Sequence, residues 1–360
     1  MGLFIGAIIG GGIFSLPFVF AQVGLLKGLL YLVAVTILMT VTYLMYADVI
    51  LKTPGKHNFV SLNRLYLGEV GEFLGIIVSV LIIILVLFIY LVLASRFMGL
   101  IFWGPDWITV VPFWFFASLA IFFNIRKLAV IEFLTSLLIA LIIIIIFFWS
   151  LSYFSLESFK IVFDGKYMPG LFWLPIGPLI FALSGRAGVL ELISYSKKNV
   201  FKTIINSFFF VSMIYLLFIL AILLLTGGVV SDDAISSLSG HLPVFILALL
   251  AIMGLLALWH VYIILGFDAR NILAVDLGWP KITSSILIIF IPILLYLLGW
   301  NNFLILVSLV GGIFAALENI LIILMWFKIK KYSIKRFWGY LAFTVFFIIL
   351  IHELIERLYA

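Results

Sequence analysis

The sequence GGGIFSLP at residues 10–17 interrupts the first apolar stretch of the chain with three glycines and a proline. Hydrocarbon offers no water to an unpaired N–H or C=O group, so leaving either one unsatisfied is costly. A membrane-spanning helix therefore breaks at mid-depth only where protein or a polar cavity takes up the freed groups. We expect a binding site near the centre of the bilayer at this break.

The composition is that of a polytopic membrane protein. Of the 360 residues, 66% are hydrophobic and 10% are charged, and the mean hydropathy is +1.40, which leaves too little polar surface for a soluble globule. A membrane span needs about 20 apolar residues. The chain therefore predicts a single all-α transmembrane domain over residues 1–360, with eleven spans at 1–22, 26–47, 73–95, 109–124, 131–153, 171–194, 203–226, 242–266, 283–299, 303–327 and 337–358.

The distribution of Lys and Arg predicts the orientation. With the N-terminus in the cytoplasm, fifteen of these residues lie on the cytoplasmic side and four lie outside. We expect a multi-pass protein of the cytoplasmic membrane whose C-terminus is outside. The net charge of +6 is then a topology signal that also attracts the lipid bilayer, and no nucleic-acid partner is expected.

Two further expectations follow from the composition and from the start of the chain. The absence of cysteine excludes Cys-ligated metal, and no metal site is predicted. Because no cytoplasmic tail precedes the first span, we expect the start of the sequence to be misassigned or truncated. The oligomeric state is not determined by the sequence.

A second interrupted span reads PIGPLIFALSGRAGVLE at residues 175–191. Its weak helix formers at 184–188 are expected to unwind. Four continuous spans follow each break, so two five-span units of opposite orientation are predicted at about 1–153 and 171–327, with an extra helix at 337–358. Paired breaks in inverted halves are typical of secondary transporters. The alternative is that the glycines serve only in helix packing.

These residues resemble a known family. Residues 10–25, GGGIFSLPFVFAQVGL, are similar to the first-helix signature of the amino acid/auxin permease family of the amino acid–polyamine–organocation (APC) transporter superfamily. FALSG at 181–185 is similar to its sixth helix, and residues 265–278 to the loop after its eighth helix. The resemblance implies a LeuT-like 5+5 inverted-repeat fold with broken helices 1 and 6, about 11 transmembrane helices, and a free α-amino acid as substrate.

The two breaks suit a zwitterion. Unwinding at 10–13 leaves N–H groups at the start of a half-helix, whose positive dipole end attracts a carboxylate. The stretch 181–184 leaves carbonyl groups for an ammonium group, and glycine allows close approach because it lacks a Cβ atom. No catalytic residue is predicted, and the predicted substrate-binding residues are Gly10, Gly11, Gly12, Ile13, Phe14, Ser15, Phe181, Ala182, Ser184 and Gly185.

Four ionisable residues in or near the predicted spans are candidates for coupling or gating. Arg186 either offers a fixed positive charge to the pocket or forms a salt bridge with Glu191 or Glu318. Glu191 is either a gate carboxylate that takes a proton or part of a structural ion pair, and Glu318 is either paired or a neutral buried acid. His260 is either a proton relay or a hydrogen-bonded structural residue.

Together these features predict a secondary active amino acid transporter that works by alternating access. In sodium-coupled relatives of this fold, the eighth helix is expected to supply hydroxyl ligands for the cation, yet residues 242–266 contain no Ser or Thr. We therefore favour the proton gradient over Na⁺, with a sodium-coupled symporter, an exchanger and a non-transporting amino acid sensor as alternatives.

Two other classes of protein fit less well. A channel is disfavoured because residues 76–93 and 137–149 are almost entirely apolar, and an enzyme because the spans lack metal-binding and acid/base motifs. No cofactor is expected. The side chain of the substrate stays open: a backbone-lined break suits a small or neutral amino acid, and Arg186 favours an anionic one if it faces the pocket.

Overall fold

The computed structural model describes residues 1–55, 57–102, 105–122, 128–154, 163, 172–239, 242–329 and 336–359. Regular structure within these ranges is helical. The α-helices are α1 (Gly2–Ile8), α2 (Leu16–Val23), α3 (Leu25–Lys52), α4 (Phe59–Ile101), α5 (Asp106–Phe122), α6 (Leu128–Ser150), α7 (Ile176–Ala182), α8 (Arg186–Tyr195), α9 (Val200–Thr226), α10 (Val244–Asn271), α11 (Lys281–Leu297), α12 (Phe303–Leu309), α13 (Ala316–Ile329) and α14 (Arg336–Tyr359).

The helices have the length and composition of membrane spans. Within the described ranges, eight helical segments are long and apolar enough to cross a bilayer. Three shorter apolar segments lie at Gly11–Val23, Ile108–Ile121 and Lys281–Leu297. The prediction of an all-helical multi-pass membrane protein is confirmed, and the count of eleven spans stays a prediction.

Two spans are each divided into a pair of short helices. The first pair is α1 and α2, and the second is α7 and α8. Helix α1 packs against α8, so one half of each broken span contacts the other. Helix α7 packs against a π-helical turn, Val310–Ala315, which joins α12 to α13. The broken spans therefore lie inside the bundle, where protein replaces lipid.

Helix α4 is longer than the sequence predicts. It begins at Phe59 instead of near residue 73, and a kink at Gly68, whose φ is +75°, separates its first turns from the long apolar part. The start is fixed by a capping box, because Asn58 Oδ1 accepts from the Ser61 N–H at 2.7 Å and Ser61 Oγ accepts from the Asn58 N–H at 3.0 Å. This local signal was not used in the prediction.

The segment at 265–278, expected to be a loop, is mostly helical. Helix α10 continues to Asn271, and a π-helical turn follows at Ile272–Asp276. The Asp276 carboxylate accepts from Asn58 Nδ2 at 3.0 and 2.9 Å. This contact ties the end of α10 to the start of α4.

Candidate functional site

The first break lies between α1 and α2. Helix α1 ends at Ile8, Gly10 is extended, and a 3₁₀ turn over Gly11–Ser15 leads into α2. Pro17 occupies the first turn of α2, where its missing N–H costs no helical hydrogen bond. The chain therefore leaves and re-enters helical geometry while it is fully buried.

The second break is shorter than predicted. Helix α7 ends at Ala182, and α8 begins directly at Arg186, so the non-helical residues are 183–185 instead of 184–188. Gly188 is helical because it packs against α1: a Cβ atom there would lie 2.6 Å from the Ala7 Cβ atom. Its small size serves this helix contact, and it does not unwind the chain.

The two breaks touch each other. A Cβ atom on Gly12 would lie 2.5 Å from the Ala182 Cα atom, and one on Gly185 would lie 2.6 Å from the Ile8 side chain. Real Cβ atoms essentially never show such distances. The glycines therefore permit backbone of one broken span to lie directly on the other.

Three buried tyrosines take up polar groups that the breaks leave free. The Tyr215 hydroxyl donates to the Ala182 carbonyl at 2.7 Å and is also 3.2 Å from the Ile8 carbonyl. The Tyr43 hydroxyl accepts from the Gly185 N–H at 2.8 Å, and the Tyr90 hydroxyl accepts from the Gly11 N–H at 3.3 Å. Sequence analysis did not select these residues, although a buried tyrosine hydroxyl in an apolar helix normally has a partner nearby.

A cavity of about 100 Å³ lies against both breaks. We call it the central cavity. The rest of its wall is mainly apolar and includes Val86, Tyr90, Val261 and Leu265. Among the residues selected from sequence, Gly10, Gly12, Phe181, Ser184, Gly185, Arg186 and Glu318 line it.

The other predicted binding residues are buried near the breaks and do not line the central cavity. The Phe14 ring packs edge-on against Phe97 and Phe218, with centroids 4.9 and 5.8 Å away. The Ser15 hydroxyl donates to the Gly12 carbonyl at 2.8 Å. Gly11, Ile13, Phe14, Ser15 and Ala182 are all buried outside the lining of the cavity.

Arg186 forms a buried ion pair on the cavity wall. Its Nε atom is 2.5 Å from Glu318 Oε1, and its guanidinium lies over the Phe59 ring at 4.2 Å. Two alternatives were open for Arg186, a salt bridge and a charge that faces the pocket. The structure has the salt bridge with Glu318, and Arg186 also lines the central cavity. Removing either partner from such a pair leaves an uncompensated buried charge.

Glu191 and His260 lie apart from this pair. Glu191 is exposed and lines a larger cavity of about 510 Å³, which we call the vestibule. His260 is 1% exposed, and its Nδ1 atom is 3.1 Å from the Leu256 carbonyl oxygen. This bond accords with the structural alternative for His260 and leaves its other ring nitrogen without a hydrogen bond within the described part of the chain.

One carboxylate of the site was missed by sequence analysis. Asp268 lies on α10 and lines both the central cavity and the vestibule, as do Arg186 and Ala187. These three residues therefore form the wall between the two spaces. The signal in the sequence was an ionisable residue at the end of an apolar span, which was assigned to a loop.

The opposite end of the bundle is held by an ion pair. Phe59, at the start of α4, lines the vestibule, and Arg96 lies near the other end of α4. Arg96 Nη1 is 2.6 Å from Asp232 Oδ1, and Nη2 donates to the Asn301 carbonyl at 3.3 Å. Asp232 belongs to residues 227–239, which we call the outer loop after the orientation predicted from the sequence. This pair therefore joins α4 to two loops at the end remote from the vestibule.

Two solved transporters of the LeuT fold share this architecture. MhsT in complex with L-phenylalanine matches with a TM-score of 0.73 and 16% identity, covering 99% of this chain and 97% of MhsT. Mhp1, a nucleobase-cation-symport-1 family transporter in a closed conformation with bromovinylhydantoin bound, matches with a TM-score of 0.64 and 14% identity, covering 94% and 79%. A comparison with curated proteins found no match.

The two broken spans around a central cavity, together with these likenesses, define the LeuT fold. The chain belongs to the tryptophan/tyrosine permease family, whose sequence model matches residues 1–275. It is therefore a multi-pass membrane protein of the secondary amino acid transporter class, and not an enzyme.

This membership corrects the family inferred from the sequence. The resemblance to the amino acid/auxin permease family was wrong, while the wider APC superfamily is compatible with the match. The physical reason is that the glycine-rich motif at 10–17 encodes a helix break, which the fold requires of members of more than one family. Such a motif identifies the fold better than the family.

Proposed function

We propose that the protein is a proton-coupled symporter of aromatic amino acids, with tryptophan or tyrosine as substrate. The description of its family names these two amino acids, and the solved structure of MhsT contains L-phenylalanine. The apolar wall of the central cavity, with Phe181 on α7 and Val86 on α4, suits an aromatic side chain better than a small or anionic one.

The observation that carries this proposal is the contact of two broken helices at the cavity. The first break starts a helical segment, whose N–H groups suit the substrate's carboxylate. The second break ends a helical segment, whose carbonyl groups suit the ammonium group. The zwitterion is held between them, and the cavity of about 100 Å³ widens when the aromatic side chain enters its apolar part.

Proton coupling is supported by the chemistry of α10. Its residues, Val244–Asn271, include no Ser or Thr, so this helix offers no aliphatic hydroxyl ligand to Na⁺. This lack of Ser and Thr favours a proton over a sodium ion as the coupling species.

The orientation that we propose places the vestibule in the cytoplasm. The vestibule lies where α8 ends, next to the basic residues Lys197 and Lys198. The outer loop then faces outside, where the Arg96–Asp232 pair holds it closed. Inverted halves at 1–153 and 171–327 move relative to each other, with the helix at 337–358 added to the second half.

Counterflow in proteoliposomes tests the substrate class. Vesicles loaded with unlabelled tryptophan, tyrosine, phenylalanine, alanine or glutamate are diluted into labelled tryptophan. We expect exchange with the aromatic amino acids and little with alanine or glutamate. Absence of counterflow with every aromatic amino acid contradicts the proposal and favours a sensor.

Imposed gradients test the coupling ion. With an inside-alkaline pH gradient and Na⁺ replaced by choline, we expect concentrative uptake of the substrate that a protonophore abolishes. Uptake that requires Na⁺ makes the protein a sodium symporter instead. Exchange without net accumulation under either gradient makes it an exchanger.

A further inference from the structure

Asp268 has a position that no other acidic residue of the described chain shares. It lines the central cavity next to both breaks, and it also lines the vestibule. No hydrogen bond or ion pair within 4.0 Å holds its carboxylate to another described residue. A small cation that reaches the site from either space therefore meets this carboxylate.

The charges around the central cavity do not balance. Of the described residues that line it, three carry a formal charge: Arg186, Glu318 and Asp268. The guanidinium is already paired with Glu318 at 2.5 Å. One negative charge is left on Asp268, in a space enclosed by apolar side chains.

The neighbouring groups do not supply the missing positive charge. The groups that interact electrostatically with Asp268 are Arg186 and Glu191 of α8, Tyr46 of α3 and Asp276 beyond the end of α10, with Glu318 of α13 on the far side of Arg186. Arg186 is the one cation among them. The others are neutral or acidic, so none of them offsets the negative charge.

An amino acid substrate cannot correct this imbalance, because a zwitterion has no net charge. A single monovalent cation corrects it. An unpaired charge within a membrane span is costly, and such residues commonly mark the path of a coupling ion. A cation bound at Asp268 therefore offsets the charge that a zwitterionic substrate leaves uncompensated.

We propose that Asp268 is the binding site of the coupling cation. This inference rests on the proposed function. In the proton form, a proton binds one carboxylate oxygen and gives the neutral acid, and its release to water in the vestibule restores the carboxylate. One cation accompanies each substrate, and it follows the substrate's own path from the central cavity to the vestibule.

The variant Asp268→Asn tests the proposal in proteoliposomes. It mimics the neutral acid but cannot release a proton, so exchange should continue while coupling is lost. Each pH unit represents a tenfold proton ratio, so a gradient of about two units supports roughly hundredfold accumulation in the wild type at one proton per substrate. We expect D268N to reach no accumulation and to keep counterflow within about threefold of the wild-type rate.

The matched control is Asp276→Asn, which neutralises a carboxylate eight residues later that lies outside the lining of both cavities. D276N should accumulate substrate like the wild type. Should D268N prove unstable, Asp268→Glu keeps an ionisable group, and it should retain accumulation while its pH profile of uptake shifts.

The possible outcomes separate this inference from the proposed function. If D268N accumulates substrate under a pH gradient, or if D268E leaves the pH profile unchanged, Asp268 is not the cation site. If D268N loses counterflow as well as accumulation, Asp268 serves substrate binding or folding, and the inference is wrong. If the wild type requires Na⁺ and D268N loses that requirement, Asp268 binds Na⁺. If the wild type moves no amino acid, the proposed function fails first.

Discussion

Replacing only one member of the buried pair of Arg186 and Glu318 should destabilise the protein far more than replacing both. The two side chains are 9% and 6% exposed, and their closest atoms are 2.5 Å apart. Replacing Arg186 by Met leaves Glu318 buried without its partner, and replacing Glu318 by Leu does the reverse. Breaking a buried pair in this way costs about 3–5 kcal/mol.

These energies can be expressed as shifts in melting temperature. At roughly 2 °C per kcal/mol for a protein of this size, each single variant should melt about 6–10 °C below the wild type. The double variant R186M/E318L replaces two charges with apolar groups of similar volume, which is often close to neutral. It should therefore melt within about 4 °C of the wild type, above both single variants.

The assay is thermal unfolding of the purified protein in detergent, with the wild type and the three variants measured side by side. The control is Arg64→Met, since the Arg64–Glu72 pair is 3.3 Å long and its arginine is 68% exposed. Such a surface pair contributes less than about 1 kcal/mol. Single variants as stable as the wild type, or a double variant less stable than both, would refute the reasoning.

Three further predictions concern the breaks and the outer loop. Tyr215→Phe leaves carbonyl groups of the two breaks unpaired and should lower the free energy of unfolding by roughly 2 kcal/mol, as measured by thermal unfolding. The control is Tyr31→Phe, whose hydroxyl makes no hydrogen bond to a described residue, and it should change stability little. Equal effects of the two substitutions contradict this prediction. Gly12→Ala should lower stability and the rate of counterflow, because the added Cβ atom would lie 2.5 Å from the Ala182 Cα atom. The control is Gly99→Ala, whose added Cβ atom meets nothing within 4 Å, and it should be neutral or slightly stabilising. Asp232→Ala should speed amide hydrogen exchange in the outer loop at constant pH, since the loop loses the shorter of its two ion pairs with Arg96 of α4 and keeps the 3.6 Å pair of Asp233. Unchanged exchange there would show that the Asp232 pair does not hold the loop.

Much of the fold followed from hydropathy and from two glycine-rich interruptions. Bilayer thickness fixes the length of a span, and lipid cannot hydrogen-bond to free backbone groups, so both signals are strong in a single sequence. The break at Gly10 was predicted within one residue for this reason. The helical extension at 59–67 and the continuation of α10 past residue 266 were missed, because short polar helices at a membrane surface have no comparable hydropathy signal.

The site was predicted less completely than the fold. The glycines that contact the other break were identified because only glycine tolerates such proximity. Phe14 packs against neighbouring helices, and nothing local in the sequence tells whether an aromatic side chain faces a cavity or a helix. Asp268 and Tyr215 are distant in sequence from both breaks, and their role depends on how α9 and α10 pack.

The tyrosines explain how the broken spans persist when no substrate is bound. Tyr215 lies on α9, the helix after the second break, yet its hydroxyl lies within hydrogen-bonding distance of carbonyl groups at both breaks. The Ala182 carbonyl lies outside the lining of the central cavity, so its bond to Tyr215 persists whether or not substrate is bound. The substrate therefore need not displace the tyrosine, and the empty site pays no penalty for an unpaired group. A site built in this way releases its substrate without collapsing, as repeated transport cycles require.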